Sequence, residues 1–167
     1  MTENSARAQT EAAAAKSFIQ TEALACDEQG RWLLVQPQPG QRNWQLVGGP
    51  TGAFEAVADA TSRLSRAQIG YELTATRALL INRDIARQQM QMVVGTERIY
   101  FDELRLVQPS SQIAGLRFVF PREAKDMMPA PAYERASAAF KMLSGNTSAC
   151  AFLENGKASL RATVLAF

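Results

Sequence analysis

The residues best placed to do chemistry lie between positions 49 and 71: Gly49-Pro-Thr-Gly-Ala-Phe-Glu55, seven further residues, then Arg63-Leu-Ser-Arg-Ala-Gln-Ile-Gly-Tyr71. Glu55, Asp59 and Arg63 recur at every fourth residue, a spacing that makes them neighbours on a helix surface. Two carboxylates so placed suit a hard divalent cation, which takes oxygen ligands. The same three residues also make a surface ladder of carboxylates and a cation, and this is the favoured reading because exposed pairs of that kind are common. The opposite stripe, Val57, Ala60, Leu64 and Ala67, predicts one buried helical face. The chain contains no histidine, so Ser-His, Cys-His and His-metal chemistry are all excluded. Any general base must be Asp, Glu, Lys, Tyr, Cys or water.

This stretch resembles the box of the Nudix family, G-x5-E-x7-R-E-U-x-E-E-x-G-U with U aliphatic. Gly49, Glu55, Arg63 and Gly70 fall on its first Gly, first Glu, Arg and last Gly, while its three later glutamates are Leu64, Ala67 and Gln68. Ser65 stands where the family prefers an aliphatic residue, and Val47 where the approach "W-x-L-P-G-G" has Pro. The resemblance spans roughly residues 18 to 143. It implies an α/β fold, a Nudix-like α/β/α sandwich with a mixed β-sheet. Family members hydrolyse a diphosphate linked to another moiety with a divalent metal held chiefly by the missing glutamates. The metal site expected here is therefore none, with Glu55 and Asp59 as weak candidates. Magnesium or manganese is a cofactor only on a residual-hydrolase reading, which would also enlist Glu72. A further family acid in a later loop has no counterpart in Pro109 to Phe120.

Replacing acids with Leu64 and Ala67 makes the former metal surface apolar, so it should pack against something or line a pocket. Leu64, Ala67, Gln68, Met90 and Met92 are the candidate ligand-pocket residues. Met90, Met92 and Val94 share one side of an alternating strand, Gln89 to Val94, where core is favoured over an adaptable pocket. Arg98 to Val107 reads as the next strand, with Arg98, Tyr100 and Asp102 on one side and Ile99, Phe101 and Glu103 on the other. Tyr100, Asp102 and Glu103 are the weak catalytic candidates for a metal-independent reaction.

The elements that position these residues follow from pattern. Residues 18 to 35 predict two strands about the turn Asp27 to Gly30, Pro37 to Asn43 a loop, and Trp44 to Val47 a short strand. Gly48 and Gly49 then suit a loop entering a helix over about Glu55 to Ile69, which Gly70 ends. Thr76 to Ile81 predicts a strand and Ala132 to Leu143 a last helix, with Tyr133, Ala136, Phe140 and Leu143 on its core face and Gly145 as a stop. Beyond residue 146, Asn155-Gly156 predicts a C-terminal hairpin, an extension of the same domain at 146–167. Residues 1–17 predict a flexible or helical lead-in to the domain at 18–145.

With 167 residues, 47% hydrophobic and 20% charged, the chain reads as one globular domain. A net charge of +2 with dispersed arginines argues against nucleic acid as a partner. No apolar stretch reaches bilayer length and no signal peptide is evident, so the expectation is a cytoplasmic protein. Cys26 and Cys150, the two cysteines, read as buried thiols. The apolar hairpin suggests a homodimer. Taken together, the sequence predicts a degenerate Nudix-fold protein binding a small, partly hydrophobic molecule without metal-dependent hydrolysis. The alternatives are a repurposed metal-independent enzyme, an isomerase or cyclase of small-molecule or secondary metabolism, and a residual magnesium- or manganese-dependent Nudix hydrolase of a nucleoside diphosphate derivative.

Overall fold

The computed structural model describes residues 19–40, 43–145 and 149–158. The expected helix over residues 2 to 16 and the hairpin's continuation past residue 158 lie outside them. Eight strands form one mixed sheet in the order β6-β2-β3-β1-β5-β4-β7-β8. These are β1 (Ile19–Leu24), β2 (Trp32–Gln36), β3 (Gln45–Pro50), β4 (Ala75–Asp84), β5 (Gln89–Thr96), β6 (Gly115–Val119), β7 (Ala151–Glu154) and β8 (Lys157–Ala158). β1 runs parallel to β5 and β4 parallel to β7, while the remaining pairs are antiparallel.

Alternation along the central strands divides the core in two. Ala23, Ala25, Val47 and Val94 face one side, with Ile69 of helix α1 (Val57–Ile69). Leu24, Leu46, Leu80 and Val93 face the other, toward helix α2 (Pro121–Met127) and helix α3 (Ala130–Ser144). The result is the expected α/β/α sandwich. On α3 the predicted face holds, since Ala136 is buried and Tyr133, Phe140 and Leu143 pack against that core. Trp32 is its centre, with ring centroids 6.1 Å from Tyr133 and 5.4 Å from Phe140.

Several local expectations change. β3 continues through Gly48, Gly49 and Pro50, where a loop is predicted. The demand at Gly48 is space: an added Cβ would sit 2.1 Å from the Thr21 carbonyl oxygen of β1. The strand expected over Arg98 to Val107 is absent. β5 instead runs on to Thr96, and the chain turns at Phe101 to Glu103 into a short 3-10 helix at Leu104–Leu106. Glu103 forces that turn, because its carboxylate accepts the Tyr100 N–H (2.9 Å) and its own N–H donates to the Tyr100 carbonyl (2.9 Å). Gly70 ends α1 at φ 63, in the left-handed conformation. Gly145 follows α3 in extended conformation instead.

The Asn155-Gly156 hairpin forms, with φ 49 and 78 at its two turn residues, and it extends the sheet through β7 on β4. Both cysteines are free thiols, Cys26 buried and Cys150 half-buried. Burial pushes the Cys26 thiol up to about 12. No helix among the described residues is long and apolar enough to cross a membrane.

Candidate functional site

The motif residues converge where β3 enters the loop before α1. Two contacts hold that loop against β1: the Thr21 and Thr51 hydroxyls share a buried hydrogen bond of 2.8 Å, and Thr51 N donates to the Ile19 carbonyl (3.0 Å). Glu55 precedes α1 and is gripped from two sides. Arg63 Nε donates to its Oε1 (2.7 Å) and Arg63 Nη2 to its Oε2 (2.8 Å), while Gly52 N donates to Oε2 (2.7 Å). Arg63 Nη2 also reaches the Pro50 carbonyl at 3.0 Å. The pair clamps the loop to the second turn of the helix. The ladder therefore has two rungs, because Asp59 is exposed and has no hydrogen bond or ion pair among the described residues.

The Arg63 guanidinium, with the Gly52 N–H, holds the Glu55 carboxyl down at about 2. A carboxylate depressed in the folded state contributes stability above its unfolded titration range, and that contribution is lost as pH falls toward 2. A carboxyl-carbon NMR titration should find Glu55 at about 2. In Arg63→Met it should move up toward the ordinary glutamate range, and an unmoved midpoint would refute the clamp. Glu72 is likewise exposed, and its pKa is lowered by the Arg66 side chain that binds it.

The three positions where the motif's glutamates would stand are occupied in three ways. Leu64 is 8% exposed and lies over Gly49, where an added Cβ would come within 3.2 Å of its Cδ2. Ala67 is exposed, which corrects the predicted apolar stripe at its last member. The buried face of α1 is instead Ala60, Thr61, Leu64, Ser65 and Ile69. Ser65 is fully buried because it is used: its hydroxyl donates to the Ser62 carbonyl (3.1 Å) and accepts the Leu73 N–H (2.9 Å), fastening the end of α1 to the chain that leads into β4.

Gln68 has the most specific role. β2 pairs with β3 only at Leu34–Leu46 and Val35–Gln45, which leaves Gly48 without a strand neighbour on that side. The Gln68 carboxamide replaces one, with Oε1 accepting the Gly48 N–H (3.2 Å) and Nε2 donating to the Gly48 carbonyl (2.6 Å). A glutamate, acceptor-only when ionised, supplies half of that. Among the described residues no three His, Cys, Asp or Glu side chains gather into a metal-binding group. The donor set therefore does not fit the divalent ion that the motif implies.

The other candidate residues lie apart. Met92 packs against the core beneath α1 and Met90 is half-buried on the same strand face. Tyr100 and Asp102 are exposed, whereas Glu103 is half-buried and accepts the Tyr71 hydroxyl at 2.9 Å. Burial, then that carboxylate, pushes the Tyr71 phenol up to about 12. These residues close a turn.

Three clefts defined by described residues lie at the end of the sheet that carries the β4–β5 turn, and the first reaches the motif residues through Thr21, Gly48 and Gly49. The first, about 230 Å³, is lined by Gln20, Glu22, Gln45, Arg87, Gln89 and Gln91 among others. It meets a second of about 360 Å³ at Arg87 and Gln91, where Asn82, Arg135 and the hairpin turn Asn155-Gly156 join the lining. Sequence reasoning missed this polar ground. The available signal was Gln89 and Gln91 alternating with Met90 and Met92, and Gln20 and Glu22 alternating within an otherwise apolar strand.

No family model matches the sequence, and no curated protein matches it. Solved structures do. An ADP-ribose pyrophosphatase from Streptococcus suis superposes with a TM-score of 0.63 at 19% identity, covering 82% of this chain and 98% of that one. A NUDIX hydrolase from Nitrosomonas europaea gives 0.64 at 10% identity, covering 81% and 77%. A MutT protein from Methanosarcina mazei Go1 gives 0.61 at 15%, covering 77% and 96%. Identities this low speak for the fold alone. Together with the mixed sheet between α1 and the α2–α3 pair, they identify this chain as having the Nudix fold.

Proposed function

We propose that this chain is a degenerate member of the Nudix group that binds a small molecule without metal-dependent diphosphate hydrolysis. The observation that carries the reading is the Gln68–Gly48 clasp beside the Leu64–Gly49 contact: two positions that would present carboxylates to a metal are spent on holding β3. Metal-assisted hydrolysis needs a fixed cation to polarise a phosphoryl oxygen and generate the attacking hydroxide. Glu55, the one motif carboxylate left, is held by three hydrogen bonds from Arg63 and Gly52. The cleft around Gln20, Gln89 and Gln91 has a mainly polar lining, so the ligand is taken as polar, in place of the partly hydrophobic molecule expected from Leu64 and Ala67.

The test is release of AMP from ADP-ribose and of UMP from a UDP-sugar with magnesium or manganese, since relatives of this fold include an ADP-ribose pyrophosphatase and a UDP-X diphosphatase. The expected result is no release above a metal-free control. Metal-dependent release abolished by Glu55→Gln would overturn the reading.

The clasp has its own consequence. Gln68→Glu should cost about 1–2 kcal/mol in urea unfolding at neutral pH, because the Gly48 carbonyl loses its donor and faces a carboxylate. It should gain no metal-dependent activity. Part of the loss should return as pH falls and the new carboxyl regains a proton to donate. Wild-type stability in this variant would show that the clasp does not hold β3.

A further inference from the structure

We infer that the cleft over the α3 face of β1, β5 and β4 is a binding site for a small uncharged polyhydroxylated molecule, a sugar or polyol. The inference deepens the non-hydrolytic reading by naming a ligand class. Its foundation is the register of the sheet. Gln20 of β1 stands opposite Gln91 of β5, and Gln91 stands opposite Asn82 of β4, so three carboxamides form a row across adjacent strands on one face. Gln89 lies two residues along β5 on that face, and Gln45 joins it at the lining of the cleft.

A row of carboxamides in mid-sheet is costly unless it is used, because buried polar groups need partners. Asn82 is fully partnered, with Nδ2 donating to Gln91 Oε1 (2.7 Å) and Oδ1 accepting the Gly156 N–H (2.9 Å). Gln91 is half satisfied. It is 7% exposed, yet its Nε2 has no acceptor among the described residues and is not sealed from solvent, and Gln91 lines both clefts. Gln20 and Gln89, both half-buried, make no side-chain hydrogen bond among the described residues. Each free carboxamide offers two donors and an acceptor, the mixed set that hydroxyl groups match because they both donate and accept.

Charge and shape select the class. The ionised groups at the cleft are matched to one another, the exposed Glu134 at its margin excepted. Arg135 grips Glu22 through Nη2–Oε1 (2.6 Å) and Nε–Oε2 (3.2 Å), and Arg87 lies 3.8 Å from Asp84. A neutral ligand therefore leaves both ion pairs undisturbed. No aromatic residue is among the described lining of either cleft, so a flat base finds nothing to stack on. The volume of about 230 Å³ lies just under the common range of small-molecule pockets, roughly 300–1,000 Å³, and suits a ligand of monosaccharide size. A site built to pair hydroxyls also rejects analogues that lack them, because its own polar groups are then left unpaired.

The experiment is an NMR titration of the full chain in EDTA, following the side-chain amide resonances of Gln20, Gln89 and Gln91. D-ribose, D-glucose and myo-inositol are the probes, with adenine and inorganic phosphate in separate arms. The expected result is saturable shifts of those resonances with at least one of the three hydroxylated probes. In the double variant Gln20→Leu, Gln89→Leu the affinity should fall about tenfold or more, with an unchanged melting temperature. Absence of shifts with all three probes in the wild-type chain would overturn the proposal. Shifts of the same amides by adenine or phosphate alone would overturn it too. Since EDTA removes divalent metal, this outcome is independent of the nucleotide-release assay, and either reading can fail without the other.

Discussion

Gly48→Ala is expected to cost about 3 kcal/mol or more, a large share of the roughly 5–15 kcal/mol that holds a domain of this kind together. The new methyl would lie 2.1 Å from the Thr21 carbonyl oxygen and 3.0 Å from the Glu22 Cα. Both are backbone atoms, so no rotamer change relieves the overlap. Gly48 sits opposite Glu22 in the β1–β3 register, and parting those strands would also disturb the Thr21–Thr51 bond and the Gln68 clasp beside it. The effect belongs to space and not to backbone angle, since Gly48 is absent from the residues of positive φ. Gly30→Ala is the matching control: its φ is +76 with nothing within 4 Å of the added Cβ, so about 1 kcal/mol of conformational cost is expected. Urea midpoints of the two variants decide the matter, and equal costs would refute the close approach of β3 to β1.

Trp32→Ala should cost about 3–5 kcal/mol, as large aromatic truncations in a sealed core do. Trp32 is fully buried between Tyr133 and Phe140, and it joins β2 to α3. Trp32→Phe should cost much less than its lost volume suggests. The indole Nε1 has no hydrogen-bond partner among the described residues, and an unmade buried bond costs about 1–3 kcal/mol, a penalty the phenyl ring does not carry. The measurement is again urea unfolding, followed by fluorescence of Trp44, the other tryptophan of the chain. A Phe variant as unstable as the Ala variant would mean that the indole N–H is satisfied in solution.

Much of the scaffold was legible because its signals are local. The apolar run Trp32 to Val35, the helix ended by Gly70 and the Asn155-Gly156 turn each state their structure within a few residues. The reading of Arg98 to Val107 as a strand failed for a reason that is also local but not periodic. Alternation fitted a strand there, and a single side chain, Glu103, overrode it by capping Tyr100 and binding Tyr71. Ala67 left the predicted buried stripe because the last turn of α1 faces Gly48 through Gln68, which turns position 67 outward.

At the candidate site the sequence by itself determined composition: no histidine, one motif carboxylate at Glu55, and Leu64, Ala67 and Gln68 where acids would stand. It did not determine what those residues do. That Gln68 completes a strand edge at Gly48, that Arg135 neutralises Glu22, and that Gln20, Gln91 and Asn82 form one row were decided by tertiary structure alone. The physical reason is that a residue's face follows from its neighbours along the chain, through the period of helix or strand. Its partner across the sheet follows from which distant segments the whole core brings together and in what register, and periodicity within one segment carries no record of that.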